Sequence, residues 1–128
     1  MASVLVVDDD VDVLDAVCAS LAAIGYAVKC VSTGLAALDI LDDRSKQIDL
    51  LLTDVVMPGL HGFNLSRMAR LRRPDLRVLY MSGFTDFQRI LEDAGPRLGK
   101  LLRKPFRPAD LWREVEAALA ASPGGGTA

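Results

Sequence analysis

Short, nearly continuous apolar tracts occupy positions 4–7, 48–53 and 76–81, and runs of this kind suit strands buried on both faces of a parallel sheet. They predict three central strands. Two further strand-like stretches, Tyr26-Ala27-Val28-Lys29-Cys30-Val31 and Leu98-Gly99-Lys100-Leu101-Leu102, each carry a lysine in mid-run. That charge is tolerated best where one side of the strand sees water, so both are expected at sheet edges. Between the strands the period changes to that of a helix. Leu14, Val17, Cys18 and Leu21 follow the i, i+3, i+4, i+7 spacing, and Leu111, Val115, Ala118 and Leu119 nearly repeat it. Leu35/Leu38/Leu41 and Leu65/Met68/Ala69 supply two more helices, while Phe87/Ile90/Leu91 marks a shorter one over 86–93, stopped by Gly95-Pro96. Pro108 fits the first turn of the last helix, which ends at Ser122-Pro123-Gly124-Gly125-Gly126.

Strict alternation of strand and helix argues for right-handed crossovers onto a parallel sheet covered on both sides. With the second and fifth strands at the edges, the order 2-1-3-4-5 satisfies the pattern. The fold class is therefore α/β, a five-stranded doubly wound parallel sheet, with a ligand crevice at the carboxyl ends of strands 1 and 3. A chain of 128 residues holds one such domain and not two. Residues 1–121 are expected to form it, and 122–128 a flexible tail.

Apolar residues make up 51% and charged residues 25%, and no apolar stretch approaches the eighteen or so residues of a membrane span. The apolar run after Met1-Ala2-Ser3 is too short for a signal peptide and lacks a basic leader, so a soluble, cytoplasmic protein is expected. A net charge of −2 gives no general attraction to nucleic acid or to an acidic membrane. The arginines at 67, 70, 72, 73 and 77 accordingly read as a solvated helix face. Cys18 and Cys30 sit among apolar neighbours without CxxC spacing, and buried thiols are expected rather than metal ligands or a disulfide.

The crevice collects the residues just after the strands: Asp8, Asp9 and Asp10, then Asp54, Ser82 and Lys104. Taken singly, each has an ordinary explanation: Asp9 or Asp10 suits a helix cap, Asp54 a loop acid, Ser82 a turn hydroxyl, Lys104 a surface lysine. The predicted sheet brings them to one edge, and that changes the balance. Two carboxylates about 4 Å apart repel by roughly 4 kcal/mol at an effective dielectric near 20, so the cluster requires counter-charge. Lys104 supplies one positive charge, and a hard, oxygen-ligated divalent ion such as Mg²⁺ supplies the rest. No Cys/His grouping lies nearby to favour zinc. Such a site suits phosphoryl transfer, where positioning and charge neutralisation matter most. An aspartate is ionised at neutral pH and attacks phosphorus without a general base.

At these residues the sequence resembles the receiver domain of two-component response regulators, from about Ser3 to Ala121. Leu5-Val6-Val7-Asp8-Asp9-Asp10 is similar to that family's acidic motif. Leu51-Leu52-Thr53-Asp54-Val55-Val56-Met57-Pro58-Gly59, closed by Gly62, is similar to its phosphoacceptor strand and loop. Val78-Leu79-Tyr80-Met81-Ser82-Gly83 resembles the switch-hydroxyl strand, and Lys104-Pro105-Phe106 the lysine-proline turn. The resemblance implies the flavodoxin-like (βα)5 receiver fold, with Asp54 as phosphoacceptor and Asp8, Asp9, Asp54 and the Val56 backbone carbonyl holding Mg²⁺. Asp9 and Asp54 would bind directly and Asp8 through water. Ser82 and Lys104 would contact the phosphoryl oxygens, and the Lys104–Pro105 bond would be cis. The implied phosphodonor is a histidine kinase or histidine phosphotransfer protein. The implied output is a shift of the face formed by the 86–93 helix, strand 5 and the last helix, read by a downstream effector. A monomer or weak dimer that turns over no external substrate is expected.

Some positions depart from the family pattern. Leu101 stands where many receivers carry an aromatic switch, which leaves Phe84 and Phe106 as substitutes. Val56 is apolar two residues after the phosphoacceptor, where it cannot orient a hydrolytic water, so self-dephosphorylation is expected to be slow. His61 is expected to be a loop residue and Trp112 to face a partner or pack half-buried. The stretch Met-Ser-Gly-Phe-Thr-Asp and the nearby Arg-Pro-Asp-Leu-Arg resemble receivers of hybrid histidine kinases. Three rival readings stand beside this one. Asp8-x-Asp10 resembles the start of a haloacid-dehalogenase-like phosphatase, but such enzymes are larger. An EF-hand fails because Val13 and Ala19 stand where its loop needs Gly and Glu. A phosphorylation-independent receiver-like binding module is the third.

Overall fold

The computed structural model describes residues 2–83 and 101–121. Its strands are β1 (Ser3–Val7), β2 (Ala27–Val31), β3 (Leu50–Asp54), β4 (Arg77–Ser82) and β5 (Leu101–Arg103). Its helices are α1 (Val11–Ala23), α2 (Gly34–Asp42), α3 (Gly62–Arg72) and α4 (Pro108–Ala120). The strands form one parallel sheet in the order β2-β1-β3-β4-β5, as expected from the burial pattern. β3 is buried along its whole length and β1 and β4 nearly so, whereas β2 has no buried residue. Lys29 thus marks an edge. The 86–93 helix, Lys100, Phe84 and the tail at 122–128 lie outside the described residues.

Alternation along each central strand divides the core in two. Leu5, Val7, Leu51, Val78 and Tyr80 pack with Leu38, Leu41, Leu65 and Ala69 under α2 and α3. Val4, Val6, Leu50, Leu52, Leu79 and Met81 pack with Leu14, Val17, Leu21, Leu111 and Val115 under α1 and α4. Thr33 caps α2 by accepting the Ala36 N–H at 3.1 Å, and Pro108 occupies the first turn of α4.

Three expectations need correction. Leu35 is 69% exposed; the buried stripe of α2 is Ala37, Leu38 and Leu41, because Leu35 falls on the outer side of the first turn. The arginine run is not simply a solvated face. Arg73 donates to the carbonyls of Leu41, Asp43 and Lys46, Arg72 to Asp42 and the Met68 carbonyl, and Arg77 to the Ala121 carbonyl. The terminal carbonyls of a helix have no partner within it, and these guanidinium groups satisfy several at the ends of α2 and α4. Cys18 and Cys30 form a disulfide with a Cα separation of 6.6 Å. The cause is tertiary: α1 turns back through Gly25, at φ 104°, and β2 then runs beneath it.

Candidate functional site

The register aligns the strand ends that matter: Val7 pairs with Thr53, Asp54 with Met81, and Ser82 with Arg103. Asp8 and Asp9 therefore leave the sheet where Asp54 ends β3, Ser82 ends β4 and Lys104 follows β5. Carboxylate oxygens of Asp8, Asp9 and Asp54 lie within 4.8 Å of one another. The Lys104 ammonium donates to Asp8 Oδ2 at 2.7 Å and to Asp54 Oδ2 at 2.9 Å. Asp8 is fully buried, Asp54 is 7% exposed and Asp9 is exposed.

The acidic triplet splits by role. Asp8 Oδ1 accepts the Asp10 backbone N–H at 2.9 Å. Asp10 caps α1, its Oδ1 accepting from the N–H groups of Asp12 and Val13. Asp9 does not share that task; its carboxylate belongs to the cluster. Ser82 is buried, and its one hydroxyl bond among the described residues is a 3.3 Å bond to the Gly83 carbonyl, weak enough to be exchanged for a better acceptor. The Lys104–Pro105 peptide is cis.

The loop after β3 is held tightly at both ends. Val55 N–H donates to the Met81 carbonyl at 3.0 Å, and the Val55 carbonyl accepts the Gly62 N–H at 2.8 Å. A Cβ on Gly62 would lie 2.2 Å from the Asp54 carbonyl oxygen, so glycine lets α3 begin directly against the Asp54 backbone. Gly59, at φ +79°, turns the chain between them. The Val56 side chain is half-buried against the α2/α3 core.

One ammonium cannot neutralise three carboxylates, and burial adds a further cost to holding charge on them. Burial pushes the Asp54 carboxyl up to about 6, Lys104 opposes this, and the charges on Asp8 and Asp9 add to it. Burial works to lower Lys104, but its bonds to Asp8 and Asp54 outweigh that and hold its pKa above the ordinary lysine value. A carboxyl raised in the folded state contributes stability that is present below the unfolded value near 4 and lost as pH rises through about 6. Asp54→Asn removes that loss. In chelator-containing buffer at pH 7 it is expected to be more stable than the parent by about 2 to 3 kcal/mol. The advantage should shrink to near zero by pH 4. Urea denaturation across this range checks it, and a pH-independent difference would contradict it.

The donor set fits a hard divalent ion: three carboxylates in excess of the local positive charge, with no thiolate or imidazole among them.

Other expected residues lie apart from the cluster. His61 is exposed at the N-cap of α3 and makes no capping bond through its side chain. Trp112 is half-buried and donates from Nε1 to the Ser20 carbonyl at 3.1 Å, so it packs α4 on α1. Phe106 is half-buried against the same core. Leu101 is paired with Tyr80, a residue that sequence reasoning did not single out. The Tyr80 hydroxyl and Ser66 Oγ share a 2.6 Å hydrogen bond, and the ring meets Phe63 edge-on at 4.9 Å. Its only signal in the sequence is a polar tip within an otherwise apolar strand core.

A family model described as the response regulator receiver domain matches residues 4–116. The chain is 34% identical over 122 residues to the response regulator receiver protein CpdR of Brucella abortus, covering 95% of this chain and all of that protein. It is 33% identical over 120 residues to sensor kinase CckA of the same organism, covering 92% of this chain but 12% of the kinase. The crystal structure of a response regulator receiver protein from Sinorhizobium medicae superposes with a TM-score of 0.81 at 28% identity, covering 94% of this chain and 95% of that one.

Proposed function

The chain belongs to the response regulator receiver domain family, and from that premise we propose that Asp54 accepts the phosphoryl group, with Lys104 and Ser82 binding its oxygens. Receiver domains are signalling modules and not enzymes acting on external substrates, which removes the phosphatase alternative. The observation that carries the residue assignment is the convergence of the Asp8, Asp9 and Asp54 carboxylates, with Lys104 bonded to Asp8 and Asp54. Asp8, Asp9, Asp54 and the Val56 carbonyl are the proposed Mg²⁺ ligands. When bound, Mg²⁺ supplies the positive charge that the transferring phosphoryl oxygens require.

The donor is a histidine kinase or a histidine phosphotransfer protein. An Asp54 carboxylate oxygen attacks phosphorus as the donor's nitrogen–phosphorus bond breaks, and at pH 7 a carboxyl near 6 is already mostly ionised. Lys104 keeps its charge and moves from a carboxylate to a phosphoryl oxygen, while the Ser82 hydroxyl exchanges its weak carbonyl bond for another. The modified site then shifts the population of the face containing β5 and α4, which an effector reads. Residues 1–121 form this module, the tail at 122–128 takes no part in the chemistry, and its setting is the cytoplasm.

Incubation with acetyl phosphate and Mg²⁺ is expected to add one phosphoryl group per chain by intact mass, and none to Asp54→Asn or in chelator. Equal labelling of the two chains would reject the assignment. Because the Val56 side chain is apolar and cannot orient a hydrolytic water, the label should then decay slowly, over tens of minutes or longer. Loss within seconds would contradict that role of Val56.

A further inference from the structure

The Cys18–Cys30 bridge has no part in the phosphoryl chemistry, yet it joins the two elements that hold the acidic loop. α1 starts directly after its cap, Asp10, whose N–H is bonded to Asp8 Oδ1. At the end of β2 the Val31 carbonyl accepts the backbone N–H of Asp8 at 3.3 Å. Asp8 to Asp10 are thus gripped by α1 on one side and by β2 on the other. A covalent tie between α1 and β2 restricts the relative motion of both grips. Among the described residues β2 is an edge strand, with no further strand beyond it. Cys30 is exposed on that edge and Cys18 is half-buried against the α1/α4 core, so the pair is open to small thiols from the Cys30 side.

We propose that Cys18 and Cys30 are a thiol–disulfide modification site, exchanging with low-molecular-weight disulfides of the glutathione class, and that closing the bond pre-organises the acidic loop for Mg²⁺. The effect on Mg²⁺ rests on the phosphoacceptor reading above; the exchange chemistry does not. In the closing direction the Cys30 thiolate attacks one sulfur of glutathione disulfide and expels one glutathione thiolate. The Cys18 thiolate then attacks Cys30 sulfur in the mixed disulfide and expels the second. Two cysteine thiols are oxidised, one external disulfide is reduced to two thiols, and the two protons pass from the cysteines to the leaving groups. A tie that removes loop freedom before the ion binds spares that ordering cost on binding.

The test equilibrates the full chain at a series of glutathione to glutathione disulfide ratios, traps free thiols by alkylation, and reads intact mass together with Mg²⁺ affinity by calorimetry. The closed form is expected to take no alkyl group and the open form two, with Mg²⁺ binding about 3- to 10-fold tighter when closed. A Cys18→Ser/Cys30→Ser chain should match the open form at every ratio. Equal Mg²⁺ affinity in the two forms, or glutathione adducts on both cysteines with no internal bond, would overturn the proposal. If neither form binds Mg²⁺, the phosphoacceptor reading falls with it, whereas equal binding in both removes this inference alone.

Discussion

Lys104→Met is expected to destabilise the metal-free protein by about 3 to 5 kcal/mol at pH 7, the cost of leaving buried carboxylates without their cation. The Lys104 ammonium bonds both Asp8 and Asp54, and neither acid has more than a trace of solvent contact. Methionine keeps much of the stem's apolar packing and removes only the charge. Acid should recover part of the loss, since protonated carboxyls no longer repel. Adding Asp54→Asn should recover part as well, so the double variant falls short of the sum of the singles. With Mg²⁺ present the variant should label about 10²- to 10³-fold more slowly, by analogy with removal of one preorganised donor to a transition-state oxyanion. Urea denaturation and labelling kinetics check these two effects separately. A stability loss under about 1 kcal/mol would place the lysine among exposed ion pairs and contradict its central position.

A comparably large effect is expected at Gly62→Ala. In an open helical position this change stabilises by up to about 1 kcal/mol. Here the added methyl would lie 2.2 Å from the Asp54 carbonyl oxygen and 2.8 Å from the Val55 Cα, both backbone atoms that cannot swing aside. The start of α3 must back away, breaking the Gly62 N–H bond to Val55 and dragging the loop that carries Val56. A loss of about 3 kcal/mol or more is expected from such overpacking, together with weaker Mg²⁺ binding. The sign alone is diagnostic: a more stable Gly62→Ala protein would mean that α3 does not abut Asp54.

Much of this arrangement is legible in the amino-acid sequence, because it depends on local pattern. Buried strands announce themselves as unbroken apolar runs, and Lys29 marks the edge where β2 lies. Once the strand order follows, the placement of Asp8, Asp9, Asp54, Ser82 and Lys104 at one sheet edge is a matter of topology. The features that local pattern does not encode are tertiary. The acidic triplet is chemically degenerate, and only backbone geometry separates Asp10, the helix cap, from Asp9, the cluster acid. Cys18 and Cys30 become partners because α1 folds back over β2, which spacing does not reveal. Arg73, the residue just past the end of α3, reaches carbonyls at the end of α2, and Tyr80 meets Ser66 only after α3 packs on the sheet. Leu35 shows the converse, a periodic leucine on the wrong side of a helix start.

The chemistry proposed for the site requires that Asp54, alone among the clustered acids, form the bond to phosphorus. Borohydride reduces an aspartyl phosphate to homoserine, so peptide mapping of the labelled and reduced chain reads the acceptor directly. Homoserine is predicted at position 54 and at no other, with Asp8 and Asp9 intact. Homoserine at position 8 or 9 while Asp54 stays unchanged would contradict this assignment.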